Sequence, residues 1–235
     1  MEIRQKNSLP WSHHVARGNM HEAHIHHQFG RNAACGISYV PVADVGAYLT
    51  PQVAGATQLR VKAGGNAADT ATGAGARSIE LHGINAAGDE IVEVINTAGA
   101  SASSPSTNSF IRLYHAAVKT SGTYGTASAG SHVGDITVEN AAGGTDWAEI
   151  QLNGFPSGNT CIGSLTIPRN HVGLLSSIQI NVDVSGSKTM DVLIMQRSQI
   201  LQTAAPYAPI LKIQEFLGVS GESSIHFDVP FKVPE

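Results

Sequence analysis

This chain is poor in the side chains that solvated helices and most reactive sites depend on. Only 14% of its 235 residues are Asp, Glu, Lys or Arg, and only 6% are aromatic. So little charge excludes a disordered polyelectrolyte and a bundle of solvated helices. Fourteen basic residues stand against 18 acidic ones, a formal charge of −4, so the basic footprint of a nucleic-acid binder is missing. There is no apolar run long enough to cross a bilayer and no basic-then-apolar leader after Met1, so no membrane partner is expected. Cysteine is scarce too. Cys35 and Cys161 lie far apart without a CxxC neighbour, and two buried free thiols are expected ahead of a disulfide.

Catalytic motifs are also lacking. The chain holds no G-x-S-x-G elbow, no H-E-x-x-H pair and no G-x-x-x-x-G-K-[ST] loop. Gly73 and Gly75 lack the spacing of a dinucleotide-binding turn and open no helix, so the Gly/Ala tract 64–76 reads as a flexible solvent loop. Glu90 and Glu93 fall on opposite faces of a strand and, with Asp89, read as a solvated corner rather than an acid/base pair. No catalytic residue and no cofactor is expected.

Strand signals dominate what is present. From 172 to 184 an odd-even register places Val172, Leu174, Ile178, Ile180, Val182 and Val184 on one face, with Gln179, Asn181 and Asp183 on the other. Ser185 to Lys188 supplies a turn, and the chain resumes at Thr189. From Val192 onward this second run is apolar on both faces, the pattern of a strand covered above and below. The two runs predict a long hairpin with Ile178, Ile180, Val182, Val192 and Ile194 in the core, and with Asp183 facing Asp191. Arg77–Ile84 and Glu90–Ile95 predict a second hairpin around Gly88. Further strands are expected at 57–62, 110–119, 136–139, 147–152, 161–167 and 225–233. Pro230 marks the last of these as an edge, because it cannot donate to a ladder. Many short strands, Gly-rich turns and no long helical period predict an all-β fold. The first choice is a jelly-roll-like β-sandwich over 51–235, preceded by an extended N-terminal arm over 1–50.

The first 36 residues hold six of the eleven histidines and have no sustained period. Such a stretch makes no core of its own, yet it is too aromatic for a linker. It predicts an arm that orders against a neighbouring subunit. Its docking residues are expected to be Trp11, His13, His14, His24, His26, His27, Phe29 and Arg31. His24 and His26 share a face if extended, a spacing that can chelate zinc, nickel or copper. No cysteine or carboxylate accompanies them at a known ligand spacing, so no metal is expected.

At several places the residues resemble one family. Gly18-Asn19 followed by His26-His27-Gln28-Phe29-Gly30-Arg31-Asn32, the tract from Ala68-Asp69-Thr70 through Gly75-Ala76-Arg77 to Gly83, and Thr107 to Arg112 look like segments of a group of virion structural proteins of tailed bacteriophages, the marine short-tailed ones above all. Gly134-Asp135-Ile136-Thr137, Cys161 to Pro168 and Phe227 to Glu235 are similar to its later segments. His27-Gln28 stands where that family commonly has a basic residue. The resemblance implies a structural component of a phage particle with no known activity. Together with the arm, it leads us to expect a non-enzymatic head decoration (cement) protein of the virion, docked by its arm on the major capsid protein or other virion proteins and oligomerising through its β-sandwich as a homo-oligomer, a trimer first. A tail adaptor or fibre anchor is the alternative, and a carbohydrate-binding host-attachment module is a third. Two tryptophans and five tyrosines offer that third reading few sugar platforms.

Overall fold

The computed structural model describes residues 14–15, 17–18, 25–43, 55–123, 131–154, 157–183, 188–197 and 210–233. Eleven strands run through them: β1 (Thr57–Val61), β2 (Ala76–Ile84), β3 (Glu90–Asn96), β4 (Ser109–Phe110), β5 (Arg112–Ser121), β6 (Ile136–Asn140), β7 (Asp146–Ile150), β8 (Gly173–Asn181), β9 (Met190–Arg197), β10 (Ile210–Val219) and β11 (Glu222–Val233). Every pairing between them is antiparallel. The expected all-β class is the observed one.

Two sheets, ordered β4-β1-β6-β7 and β3-β2-β5, share one core. Strand alternation explains most of it: Leu59 and Val61, Ile136 and Val138, and Ala148 and Ile150 point inward from the first sheet, while Trp147 joins them from the register shift between β6 and β7. They meet Ile79, Leu81, Ile95, Leu113 and Ala116 from the second. Sheets of four and three strands form a sandwich. The eight-stranded jelly-roll order is not found among the described pairings.

The β2–β3 hairpin is the one predicted, in register from Ser78 opposite Asn96 to Ile84 opposite Glu90. The Asn85 side chain accepts from the amides of Ala87 and Asp89, and Gly88 takes the positive φ of 90° that closes the turn. Segment 161–167, expected as a strand, is not one. The stretch before it runs beside β5 irregularly, with the Thr160 hydroxyl accepting from the Ala116 amide and the Val118 amide donating to the Gly158 carbonyl.

The central hairpin expected from the sequence does not form. β8 pairs with β11 and β9 with β10, so the partner of the 173–197 arm is 210–233. A ribbon results: Asn181 stands opposite Glu222 and Met190 opposite Val219, and the Val182 amide donates to the Gly221 carbonyl. Asp183 and Asp191 therefore do not face each other, and Asp191 instead accepts from the Gly218 amide at 2.8 Å. Nor are Ile178, Ile180, Val182, Val192 and Ile194 core: all five are half-buried, and Val172 and Leu174 are exposed. The strict alternation breaks at Ser176-Ser177, both exposed, opposite a register shift between His226 and Phe231. Pro230 lies within that shift, where a missing donor costs the ladder nothing. Val184 lies outside the described residues.

The Gly/Ala tract 64–76 is an ordered loop wrapped on Asp69. That carboxylate, 3% exposed, accepts from the backbone amides of Ala76 (2.7 Å), Val133 (3.0 Å) and Gly134 (2.9 Å). It ties the entry of β2 to the entry of β6. Gly75 is required beside it, because a Cβ there would stand 2.0 Å from the Asp69 Oδ1.

Candidate docking surface

The arm meets its own sandwich. The Gln28 side-chain amide donates to the carbonyls of Tyr114 (2.9 Å) and Ile162 (2.6 Å). The Arg31 amide donates to the Cys161 carbonyl, and the Gly163 amide to that of Val42. Ala43 is fully buried and bridges Ile162. Residues 158–160 thus cover the middle of the β5 edge, and arm residues 31 and 42–43 meet 161–163 beyond them, so backbone groups of Tyr114, Ala116 and Val118 are not left open. Two glycines permit the approach: a Cβ on Gly30 would fall 2.3 Å from the Gly163 Cα and 2.6 Å from the Val42 carbonyl oxygen. Residues 28, 31 and 42–43 thus meet their own domain. Backbone amides and carbonyls at a sheet edge bind whatever extended chain lies near, and its own chain is nearest.

The side chains point the other way. Asn32 pins residues 32–41 into a loop, donating to the Pro41 carbonyl (2.9 Å) and accepting from the Ala34 amide (2.8 Å). From that loop Ile37 stands fully exposed, with Tyr39 and Val40 beside it and Phe29 exposed before it. Contiguous apolar exposure of this kind marks an interaction surface. Cys35 is on the loop and exposed, so of the two thiols expected to be buried only Cys161 is, and no disulfide joins them.

Among the expected docking residues, Trp11, His13 and His24 lie outside the described residues. His14 is half-buried in a helical turn, and His27 is exposed. Arg31 reaches the Gln151 side chain at 3.5 Å. His26 meets the ring of Tyr114 edge-on, centroids 6.3 Å apart. There it joins residues the sequence analysis did not single out. Cross-strand pairing sets His82 of β2 opposite His115 of β5, with ring centroids 5.3 Å apart. His82 Nε2 lies 3.0 Å from Glu80 Oε1, and Lys119 pairs with the other Glu80 oxygen. The Tyr114 hydroxyl donates to Glu90, and Asn159 Oδ1 lies 3.1 Å from the His115 ring. Taken one by one these are ordinary polar positions, and the group exists only through the pairing of β2 with β3 and β5 and the approach of residue 159 to β5.

Burial pushes the His115 pKa down, opposed by the Asn159 bond and reinforced by His82. Lys119 and then His82 hold the Glu80 carboxyl below its usual range. Burial raises Tyr114, as does the Glu90 carboxylate it serves. Glu93 is no solvated corner: burial disfavours its charge, but the amides of Thr107 and Asn108 outweigh that and lower its pKa. A shallow concavity of about 310 Å³ runs beside it along the edge of β3, lined by residues 93–98, Ser104, Pro105 and Thr107. Among the described residues no group of three or more His, Cys, Asp or Glu is arranged to hold a metal ion, and no helix is long and apolar enough to cross a membrane.

No family model, curated protein or solved structure matches this chain. The likeness to phage virion proteins therefore rests on the sequence motifs, while the geometry speaks for the surface.

Acid should loosen the sandwich through the buried His132 and the half-buried His115. His132 is completely buried, and burial lowers its pKa as it does that of His115. With folded values below the unfolded one near 6.5, the unfolded chain binds more protons in acid. The stability contributed by the neutral rings is complete above that pH and declines as pH falls below it, down through the folded values. The thermal midpoint is expected to drop between pH 7.5 and pH 5.5, and His115→Asn to flatten the slope. A midpoint constant over that interval would contradict the assignment.

Proposed function

We propose that this chain is a non-enzymatic structural protein of a tailed-phage virion, a head decoration protein that binds the shell through the loop 32–41. The observation that carries the docking role is the division of labour in the arm. Its backbone and Gln28 are spent on its own sandwich, while Phe29, Ile37, Tyr39 and Val40 face outward. A loop held at both ends loses little further entropy on binding, so each apolar side chain it seats in a partner, at about 25 cal/mol per Å² of apolar area, contributes more of its gain to affinity. Repetition over many sites on one shell then multiplies the effect. The virion assignment itself is supported by the motifs around Gly30, Asp69 and Gly134.

The test is retention on particles. Ile37→Asp combined with Tyr39→Asp changes exposed residues and should leave the thermal midpoint unmoved. It should also abolish incorporation into purified particles, read as gel band intensity against the major capsid protein. Undiminished incorporation would remove the loop from the interface. Copy number in the same gel separates a head protein, present in hundreds, from a tail adaptor or fibre anchor present in about a dozen.

A further inference from the structure

The sequence of the β8–β11 ribbon asks for more cover than the described residues of one chain provide. β9 carries Val192, Leu193 and Ile194 in succession, so apolar side chains stand on both of its faces. That is the pattern of a strand inside a sheet. Yet among the described residues β9 pairs only with β10, and β8 only with β11. The three side chains are only half-buried, and Leu174, Met195, Leu211 and Leu217 are exposed. No strand of the ribbon is hydrogen-bonded to β1–β7 among the described residues. A two-stranded ribbon is marginal in water, and independent stability needs a third strand or a packed face.

We propose that this ribbon is the interface through which copies of the chain associate, each ribbon covering the apolar faces of another. Three observations favour a second copy as the occupant. The uncovered apolar pattern belongs to the fold of every copy, so its cover has to be present whenever the chain folds. Symmetric self-association meets that condition without any other gene product. The charges of the ribbon are few and mixed: its four strands carry four acidic and three basic residues, and among the described side chains Glu215 is answered by Lys212, Glu222 by Gln179 and Asp191 by the Gly218 amide. No field of one sign is left over to select an oppositely charged partner. The area also suffices. β8 and β9, of 9 and 8 residues, span together about 55 Å at about 3.3 Å per residue, and two strands are about 10 Å wide. The two faces thus offer on the order of 1,100 Å², above the roughly 800 Å² per partner of a stable complex. The inference goes beyond docking on a shell and stands independently of it.

Light scattering of the full chain after size exclusion, loaded at micromolar concentration, tests it. The native protein is expected at a whole multiple, two or more, of 24.5 kDa. Leu211→Asp with Leu217→Asp, at exposed positions of β10, is expected to run at 24.5 kDa. Leu174→Asp on β8 should act in the same direction independently. Hydrogen exchange should then show lost protection across β8–β11 and retained protection across β2 and β5, which separates dissociation from global unfolding. Ile37→Asp in the docking loop should leave the mass unchanged, so failure of the shell-binding role and failure of this one are distinguishable. A monomeric native protein, an unaltered mass in both ribbon variants, or dissociation by Ile37→Asp would overturn the proposal.

Discussion

Trp147→Ala is expected to cost the fold about 3–5 kcal/mol, the range for deleting a buried aromatic. The indole is 2% exposed, lies in β7 and belongs to the core cluster shared by the two sheets, among the largest side chains wholly enclosed by the sandwich. Its removal leaves a cavity lined by strands of two sheets, which cannot close without breaking their ladders. Val92→Ala, on the exposed face of β3, should cost under about 0.5 kcal/mol. Urea unfolding of both variants, followed by far-ultraviolet circular dichroism, gives the comparison. Equal midpoints for the two would mean that the sandwich core is not where the strand pairing puts it.

The second large effect is at Asp69. Truncation to alanine strands three backbone amides in a place that water reaches poorly, at about 1–3 kcal/mol for each donor left unpaired. Partial rehydration trims the sum, and a loss of about 3–5 kcal/mol is expected for Asp69→Ala. Asp69→Asn is the discriminating variant. Its one carbonyl oxygen can keep the Ala76 and Val133 amides, while its amide nitrogen faces the Gly134 amide as donor against donor. An intermediate loss follows from that geometry. If alanine costs less than about 1 kcal/mol by chemical denaturation, the carboxylate is not the clasp between β2 and β6.

The contrast between these sites and the ribbon shows which kind of information was local. Alternation within a strand involves only neighbours in sequence, so the all-β class, the β2–β3 hairpin with its Asn85 and Gly88, and the edge character forced by Pro230 could be read from composition and period. Pairing is different. The stretch 172–197 carries the cleanest strand pattern in the chain, and a turn at Ser185 to Lys188 was plausible, yet its partner is 210–233. A two-residue period says that a face wants cover and not which segment, or which copy, supplies it. The same limit hid the clasp at Asp69, because a Gly/Ala tract looks flexible until the amides of Val133 and Gly134 arrive from more than sixty residues away.

What the sequence by itself determined was the class of structure and the poverty of reactive groups: little charge, few aromatics, no catalytic motif and many short strands. It also marked the N-terminal segment as aperiodic and its residues 26–32 as worth watching. Tertiary structure decided the rest. It put the core in β1–β7, laid residues 28, 31 and 42–43 against its own sandwich, turned Ile37, Tyr39 and Val40 outward, and gathered His26 and His82 around Tyr114 with His115 against His82. The physical reason is that strand identity is a property of local backbone preference, whereas burial and electrostatic neighbourhood depend on contacts between residues distant in the chain, and those exist only once register is chosen.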